Sequence, residues 1–166
     1  MAETCVNLAG LQKLVLCGGE WAVDYSEGAL RSFWAAVGGT VIDLTFDSRL
    51  GSLPYPTCEE FPFLERLSVS RFRAIVAFCS MDRPASVLAE VVITQRFENT
   101  FDQEYATECA AEVDSQFLRS MPSLEMIRFN TIPLTLEEIE EVEAQTPRMR
   151  AAGKIEFTAL GCGGGW

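Results

Sequence analysis

The chain offers few residues for catalysis, because it contains no histidine. Serine and cysteine nucleophiles are most often activated by an imidazole, and metal hydrolases commonly use one as a ligand. The phosphate-binding motifs G-x-x-x-x-G-K-[ST] and G-x-G-x-x-G are also absent from the sequence. We therefore expect a protein with no catalytic residues, no bound metal and no cofactor.

Cysteine is the most reactive residue type available, and the chain has six: Cys5, Cys17, Cys58, Cys79, Cys109 and Cys162. No two form a C-x-x-C pair, so we expect neither a zinc site nor a disulfide scaffold. Cys79 and Cys109 lie among apolar residues in helix-like segments, which is typical of small buried hydrophobes. Cys162 lies in a glycine-rich tail and is the thiol expected to be exposed.

Acidic residues supply the remaining candidates. The densest run, Glu137-Glu138 and Glu140-Glu141, occupies the outward positions of a predicted helix whose apolar stripe is Leu136, Ile139 and Val142. This pattern is typical of a solvated helix face, and we expect the helix to close the end of the fold. It does not favour a metal site or an acid–base site.

A small α/β enzyme is the alternative hypothesis. Its acids, Asp43, Asp47 or Glu90, would lie at strand ends beside a ligand crevice. No basic or nucleophilic residue stands at a matching place in the pattern, so we prefer a function without catalysis.

Length and charge limit the classes of partner. A chain of 166 residues is long enough for one domain with its own core, and its net charge of -11 repels phosphate backbones and anionic membrane surfaces. No membrane-spanning stretch or signal peptide is recognisable. We expect no nucleic-acid or membrane partner, and a location in the cytosol or nucleus.

The elements that would position these residues repeat along the chain. An apolar triplet of the form L-x-x-L-x-L occurs six times: Leu11-Leu14-Leu16, Val41-Leu44-Phe46, Leu64-Leu67-Val69, Leu88-Val91-Ile93, Leu124-Ile127-Phe129 and Ala152-Ile155-Phe157. The middle residues are separated by 30, 23, 24, 36 and 28 residues, near the period of about 20 to 29 typical of leucine-rich repeats. Helix-like segments fill most of the gaps, which predicts alternating strands and helices.

That alternation predicts a parallel sheet reached by right-handed crossovers. Three of its strands, LERLSVS, VIDLTFD and LEMIRFN, alternate apolar with polar residues, whereas VLAEVVI reads as buried on both sides. We predict an α/β fold, a short, irregular leucine-rich-repeat solenoid with the sheet on one face and helices on the other, and keep a doubly wound sheet as the alternative. The predicted domain covers residues 1–160 in about six repeats, and residues 161–166 form a flexible tail.

Several segments resemble the leucine-rich-repeat region of F-box-like proteins of mushroom-forming fungi. They are LQKLVLCGGEW at 11–21, FPFLERLSVS at 61–70, MPSLE at 121–125, IRF at 127–129, the Glu137 to Glu143 run, PRM at 147–149 and GKIEF at 153–157. The resemblance implies a non-catalytic recognition surface of the kind that selects substrates for a ubiquitin ligase. The F-box helices, which engage the adaptor of a cullin-type ligase, have no counterpart in this sequence, so adaptor binding is not expected.

In a solenoid, the polar residues between the buried ones of each strand form a binding surface. The candidates are Asp43, Thr45, Glu65, Arg66, Ser68, Glu90, Thr94, Glu125, Arg128 and Asn130. Their mixture of signs suits a protein partner with patches of both charges. A third hypothesis is self-association through the first repeat, which lacks the polar cap that solenoid ends normally carry.

Overall fold

A computed structural model describes residues 10–16, 27–46, 55–70, 72–79, 84–94, 100–130 and 136–157, without the side chains of 72, 100–108 and 138. Six parallel strands form one sheet in the order of the sequence: β1 Lys13–Leu16, β2 Asp43–Phe46, β3 Arg66–Val69, β4 Glu90–Ile93, β5 Met126–Phe129 and β6 Ile155–Phe157. The helices of the described ranges are α1 Glu27–Val37, α2 Phe72–Phe78, α3 Thr100–Ser120, α4 Leu136–Gln145 and α5 Pro147–Ala151. The predicted α/β class and parallel sheet are confirmed.

The apolar triplets of the sequence stand in register across this sheet. Their middle residues form one continuous row, Leu14, Leu44, Leu67, Val91, Ile127 and Ile155, and their last residues form the next. The backbone repeats as well: the carbonyl of Gln12 accepts hydrogen bonds from two successive amides, those of Ile42 and Asp43. The carbonyls of Ile42, Glu65 and Ala89 each do the same for the following strand.

One face of the sheet carries the core. Leu44, Leu67 and Ile127 are fully buried, while Arg66 and Arg128, which alternate with them, are exposed. Asp43 is half-buried. The buried rows share their core with apolar residues of the helices, among them Trp34, Ile75, Phe78 and Phe117. Strand β4 differs from the others as predicted, because Val91, Val92 and Ile93 are all buried.

A tight contact joins α1 to the loop before β3. The Arg31 guanidinium donates to Glu60 Oε1 at 2.8 Å, and Glu60 Oε2 accepts from the Thr57 backbone amide at 2.9 Å. Gly38 lies against the same loop, where a Cβ would stand 1.8 Å from the carbonyl oxygen of Glu60. The approach of helix and loop therefore requires glycine at this position.

The start of α4 corrects one prediction. Leu136, expected within the buried stripe of this helix, is 78% exposed, whereas Ile139 is half-buried and Val142 is 4% exposed. The helix packs against α3 and α5, and burial along the stripe increases only toward its carboxyl end. The sequence also predicts a capping box of Thr135 and Glu138 at the start of this helix, and Thr135 lies outside the described residues. Glu137 and Glu140 are exposed, as predicted, whereas Glu141, predicted on the same solvated face, is half-buried.

Helix α5 begins at Pro147 and takes its cap from another helix. The Thr146 hydroxyl, at the usual capping position, donates instead to the Val142 carbonyl at 2.8 Å. The buried carboxylate of Asp114 on α3 accepts from the backbone amides of Met149 at 2.8 Å and Arg148 at 3.2 Å. Asp114 thus ties the last helix to α3.

The described cysteines are Cys58, Cys79 and Cys109, and all three are buried and reduced. Burial, and to a smaller extent the neighbouring Cys58, raises the pKa of the Cys79 thiol to about 12. Burial of Cys79 and Cys109 was predicted. Cys162 and the rest of the predicted tail lie outside the described residues, as do Cys5 and Cys17. Among the helices of the described ranges, none has the length and apolar character needed to cross a bilayer.

Candidate functional site

The face of the sheet opposite the core, called here the open face, carries charges of alternating sign across all six strands. They are Lys13 on β1, Asp43 on β2, Arg66 on β3, Glu90 on β4, Arg128 on β5 and Glu156 on β6. We call these six residues the charge ladder. Lys13, Asp43, Arg66 and Glu90 align directly in register. Arg128 and Glu156 align with each other in a row that lies two residues further along the strands, at the level of Val92.

Four ion pairs join neighbouring members of the ladder, in two groups that are separated between Asp43 and Arg66. Lys13 Nζ lies 2.9 Å from Asp43 Oδ2, and Arg66 Nε lies 3.1 Å from Glu90 Oε2. Arg128 uses its Nη1 on Glu90 Oε1 and its Nε on Glu156 Oε2, the latter at 2.8 Å. Glu90 is therefore held from both sides by arginines of the neighbouring strands.

The ladder is electrically neutral, because its three bases balance its three acids, whereas the whole chain carries -11. The hydrogen bond to Glu156 and the charge of Glu90 raise the pKa of the Arg128 guanidinium. Each acid of the ladder contacts a base, so its use as a proton donor or acceptor would require breaking an ion pair. The arrangement suits recognition better than proton transfer.

Smaller side chains form a second row beside the first four charges. Val15, Thr45, Ser68 and Val92 align in register, and Arg128 on β5 is the next residue of the same row. Val15 is 51% exposed, Thr45 and Ser68 are half-buried and Val92 is buried. The middle of the open face is thus lined by small residues and bordered by long charged ones.

Most of the sequence-predicted binding residues lie on this face. Asp43, Thr45, Arg66, Ser68, Glu90 and Arg128 are strand residues of the open face, and Thr94 and Asn130 follow β4 and β5 directly with the same alternation. The Thr94 hydroxyl donates to the Val69 carbonyl at 3.2 Å. The structure brings these eight positions together.

Glu65 and Glu125 lie elsewhere. Each stands one residue before its strand, β3 or β5, in the alternation of the buried rows, and is exposed because it lies where the chain enters the sheet. The assignment of these two acids to the strand face was wrong.

Lys13 and Glu156, the two ends of the ladder, were not among the residues predicted from the sequence. The same alternation, applied to the first and sixth strands, would have placed both on the open face. It would not have paired them, because the partner of a charge on one strand lies on the neighbouring strand.

No protein-family model, no curated protein and no solved structure matches the chain. The resemblance to fungal F-box-like repeat regions stays a prediction.

Proposed function

We propose that the protein is a non-catalytic interaction module, a short leucine-rich-repeat-like solenoid whose open sheet face binds a protein partner. Strand order supports the solenoid. In a sheet whose parallel strands follow the sequence, right-handed crossovers place all connecting helices on the same side. The apolar rows are buried on one side only, which agrees with helices covering that side alone.

The charge ladder is the observation that carries the proposed function. Exposed ion pairs add little to folding stability, so stability alone does not explain six charges that alternate in sign across six strands and form four ion pairs. The ladder holds long side chains in fixed positions before a partner arrives, which lowers the entropy lost on binding. A pre-ordered, exposed and neutral face is what a recognition surface needs.

The chemistry of the face defines the partner. It offers both signs of charge, beside the hydroxyls of Thr45 and Ser68 and the apolar surface of Val15. A folded protein or peptide with charges of both signs fits it, whereas a phosphate backbone or anionic membrane would meet a chain of net charge -11. Substrate recognition, as in F-box-like proteins, is the role that the resemblance suggests, in the cytosol or nucleus.

The position of the acids disfavours the enzyme hypothesis. Ligand crevices of open α/β sheets lie at the carboxyl ends of strands, where the strand order reverses. Asp43 and Glu90 are the first residues of β2 and β4, at the amino ends, and the strand order of the described sheet never reverses. Asp47 lies outside the described residues.

A matched pair of variants tests the binding face. Ser68→Arg places a bulky charge in the middle of the open face, and Ser115→Arg makes the same change on the exposed surface of α3. Wild type and each variant would be immobilised and exposed to extract of the cells that produce the protein. The proteins retained by each would then be compared by quantitative mass spectrometry.

We expect a discrete set of proteins retained by wild type and by Ser115→Arg and lost from Ser68→Arg, with all three showing the same circular dichroism. Retention by folded Ser68→Arg, or equal loss from both variants, would refute binding through this face.

A further inference from the structure

The two edge strands of the described sheet have incompletely covered apolar residues. Leu14 and Leu16 on β1, and Ile155 and Phe157 on β6, are only partly buried. Their counterparts on β2 to β5, such as Leu44 and Phe129, are at most 1% exposed. Both apolar rows are therefore completely buried on the inner strands and partly accessible to solvent at the two edge strands.

The hydrogen-bonding edges correspond as well. Within the described residues, β1 pairs with β2 alone and β6 with β5 alone. The sheet is parallel throughout. The outer edge of β6 could therefore pair with the outer edge of β1 from another molecule in the same way as adjacent strands pair inside the sheet. An edge of this kind is a template for a further strand.

The charge ladder ends with opposite signs at these edges. Lys13 on β1 is 64% exposed and contacts Asp43 toward the interior, and Glu156 on β6 is 48% exposed and contacts Arg128 toward the interior. Inside the ladder, Glu90 shows the complete arrangement, with a base on each neighbouring strand. Glu156 has such a base on the β5 side, and Lys13 has an acid on the β2 side.

We propose that the partner of these edges is a second copy of the chain, with β1 of one copy adding to β6 of the next in the register that sets Lys13 opposite Glu156 and Leu14 opposite Phe157. The contact is head-to-tail, extends the parallel sheet and continues the alternation of charge. Because head-to-tail contacts do not close on themselves unless the rotation forms a ring, the product is a short open stack or a ring. This interface goes beyond the proposed function and leaves the open face accessible.

Charge argues against the symmetric alternatives. A two-fold contact between two β1 strands would pair them antiparallel and give Lys13 no acid of the ladder as a partner, and one between two β6 strands would give Glu156 no base of the ladder. Only the head-to-tail contact joins the two opposite charges at the ends of the ladder, and opposite charges on neighbouring strands are the stabilising combination.

The net charge of -11 opposes any association of identical chains. Salt at about 0.15 M screens interactions beyond roughly 8 Å. Repulsion between whole molecules is then weakened more than a contact between one lysine and one carboxylate. Association is thus expected at physiological ionic strength and weaker at low salt.

Charge reversal tests the pairing. Lys13→Glu gives a copy with acids at both edges, and Glu156→Lys gives a copy with bases at both edges. Arg119→Glu on α3 and Glu137→Lys on α4 make the same charge changes at exposed positions away from the edge strands. Sedimentation velocity over a range of concentrations measures association, and circular dichroism monitors folding.

We expect wild type and both control variants to show sedimentation coefficients that increase with concentration. Lys13→Glu alone and Glu156→Lys alone should stay monomeric at every concentration, because each would meet like charge. An equimolar mixture should associate again, since every interface then joins an acid to a base, and the double variant should associate by itself.

A wild type that stays monomeric up to millimolar concentration would overturn the proposal. So would single reversals that associate like wild type, or a mixture of folded variants that does not recover association. Should a reversal unfold the chain, Lys13→Gln and Glu156→Gln serve instead, and unchanged association of either would also overturn it. Ser68→Arg should associate like wild type, which separates this interface from binding on the open face.

Discussion

Asp114 shows how a single buried carboxylate joins two helices that are distant in the sequence. Proline at the first position of α5 has no amide hydrogen, and the next two amides, of Arg148 and Met149, donate to Asp114. Without this carboxylate, buried donors would have no acceptor. Its sequence context carried a signal, because an acid between Val113 and Phe117 on an apolar helix face requires a partner.

We expect Asp114→Ala to lower the free energy of unfolding by about 2 kcal/mol, combining a lost cap with unsatisfied amides. Asp114→Asn retains one acceptor oxygen and should cost about half as much. Urea denaturation measures both, with the exposed Ser115→Ala as control, expected within about 0.5 kcal/mol of wild type. A loss for Asp114→Ala no larger than the control's would show that α5 is held by packing alone.

The Cys79 thiol makes stability depend on alkaline pH. Its pKa is raised from 9.0 to about 12 in the folded protein, so the unfolded chain loses this proton first as pH rises. The contribution is therefore fully present below about pH 9 and is lost as pH rises toward 12. The slope reaches at most about 1.4 kcal/mol per pH unit.

Urea denaturation from about pH 8 to about pH 11 tests this for wild type and Cys79→Ala. Other groups titrate in this range, so the informative quantity is the difference between the two proteins. The stability of wild type should decline more steeply than that of the variant. Parallel declines would show that the thiol ionises as readily in the folded chain as in the unfolded one.

At the scale of elements, strands were more predictable than the ends of helices. The triplets fixed strand positions because the inward residues of each strand must be apolar where one face is buried, and Leu44, Leu67 and Ile127 satisfy this rule. Helical periodicity placed Leu136 and Val142 on one stripe equally well, yet only Val142 is buried. Periodicity tells which side of a helix is apolar, while the extent of the neighbouring helix decides how much of that side is covered.

The candidate functional site was likewise predictable only in part. Alternation put Arg66 and Arg128 on the open face, because it is a property of one strand. The ion pairs that hold Glu90 between them depend on which strands are neighbours and in which register, and a single sequence does not give that. Glu65 was misplaced because the chain enters β3 only after it, and strand boundaries are poorly marked in sequence.

The contact between α1 and the loop before β3 is specified by one glycine of a pair. A Cβ at position 38 would lie 1.8 Å from the Glu60 carbonyl oxygen and 2.8 Å from that of Trp34, while one at position 39 would meet nothing within 4 Å. Backbone atoms cannot yield as a flexible side chain can, so Gly38→Ala should lower the unfolding free energy by about 3 kcal/mol. Gly39→Ala should change it by less than about 1 kcal/mol.

Thermal or urea denaturation, followed by the fluorescence of tryptophans that include the buried Trp34, measures both glycine variants. Equal stability of the two would mean that helix and loop separate at little cost, and that the Arg31 to Glu60 ion pair does not depend on their close approach.

At the scale of the whole molecule, sequential strand order makes each strand depend mainly on its two neighbours. In such an array, stability is approximately a sum of local terms and interfaces, and the ends have one interface fewer than the middle. Leu67 on β3 is fully buried between β2 and β4, whereas its counterpart Leu14 on β1 is only partly buried. Cooperativity should therefore weaken from the central strands toward both edges.

Native-state hydrogen exchange should show this gradient, with amides of β3, β4 and β5 exchanging most slowly and those of β1 and β6 fastest in dilute protein. Leu67→Ala should cost about 2–5 kcal/mol and accelerate exchange throughout the sheet. Leu14→Ala should cost less and accelerate exchange mainly in β1 and β2. Head-to-tail association adds the missing interface, so protection of β1 and β6 should increase with concentration in wild type and not in Lys13→Glu. Uniform protection in dilute protein would instead indicate one indivisible core, and a solenoid would then be the wrong description of the fold.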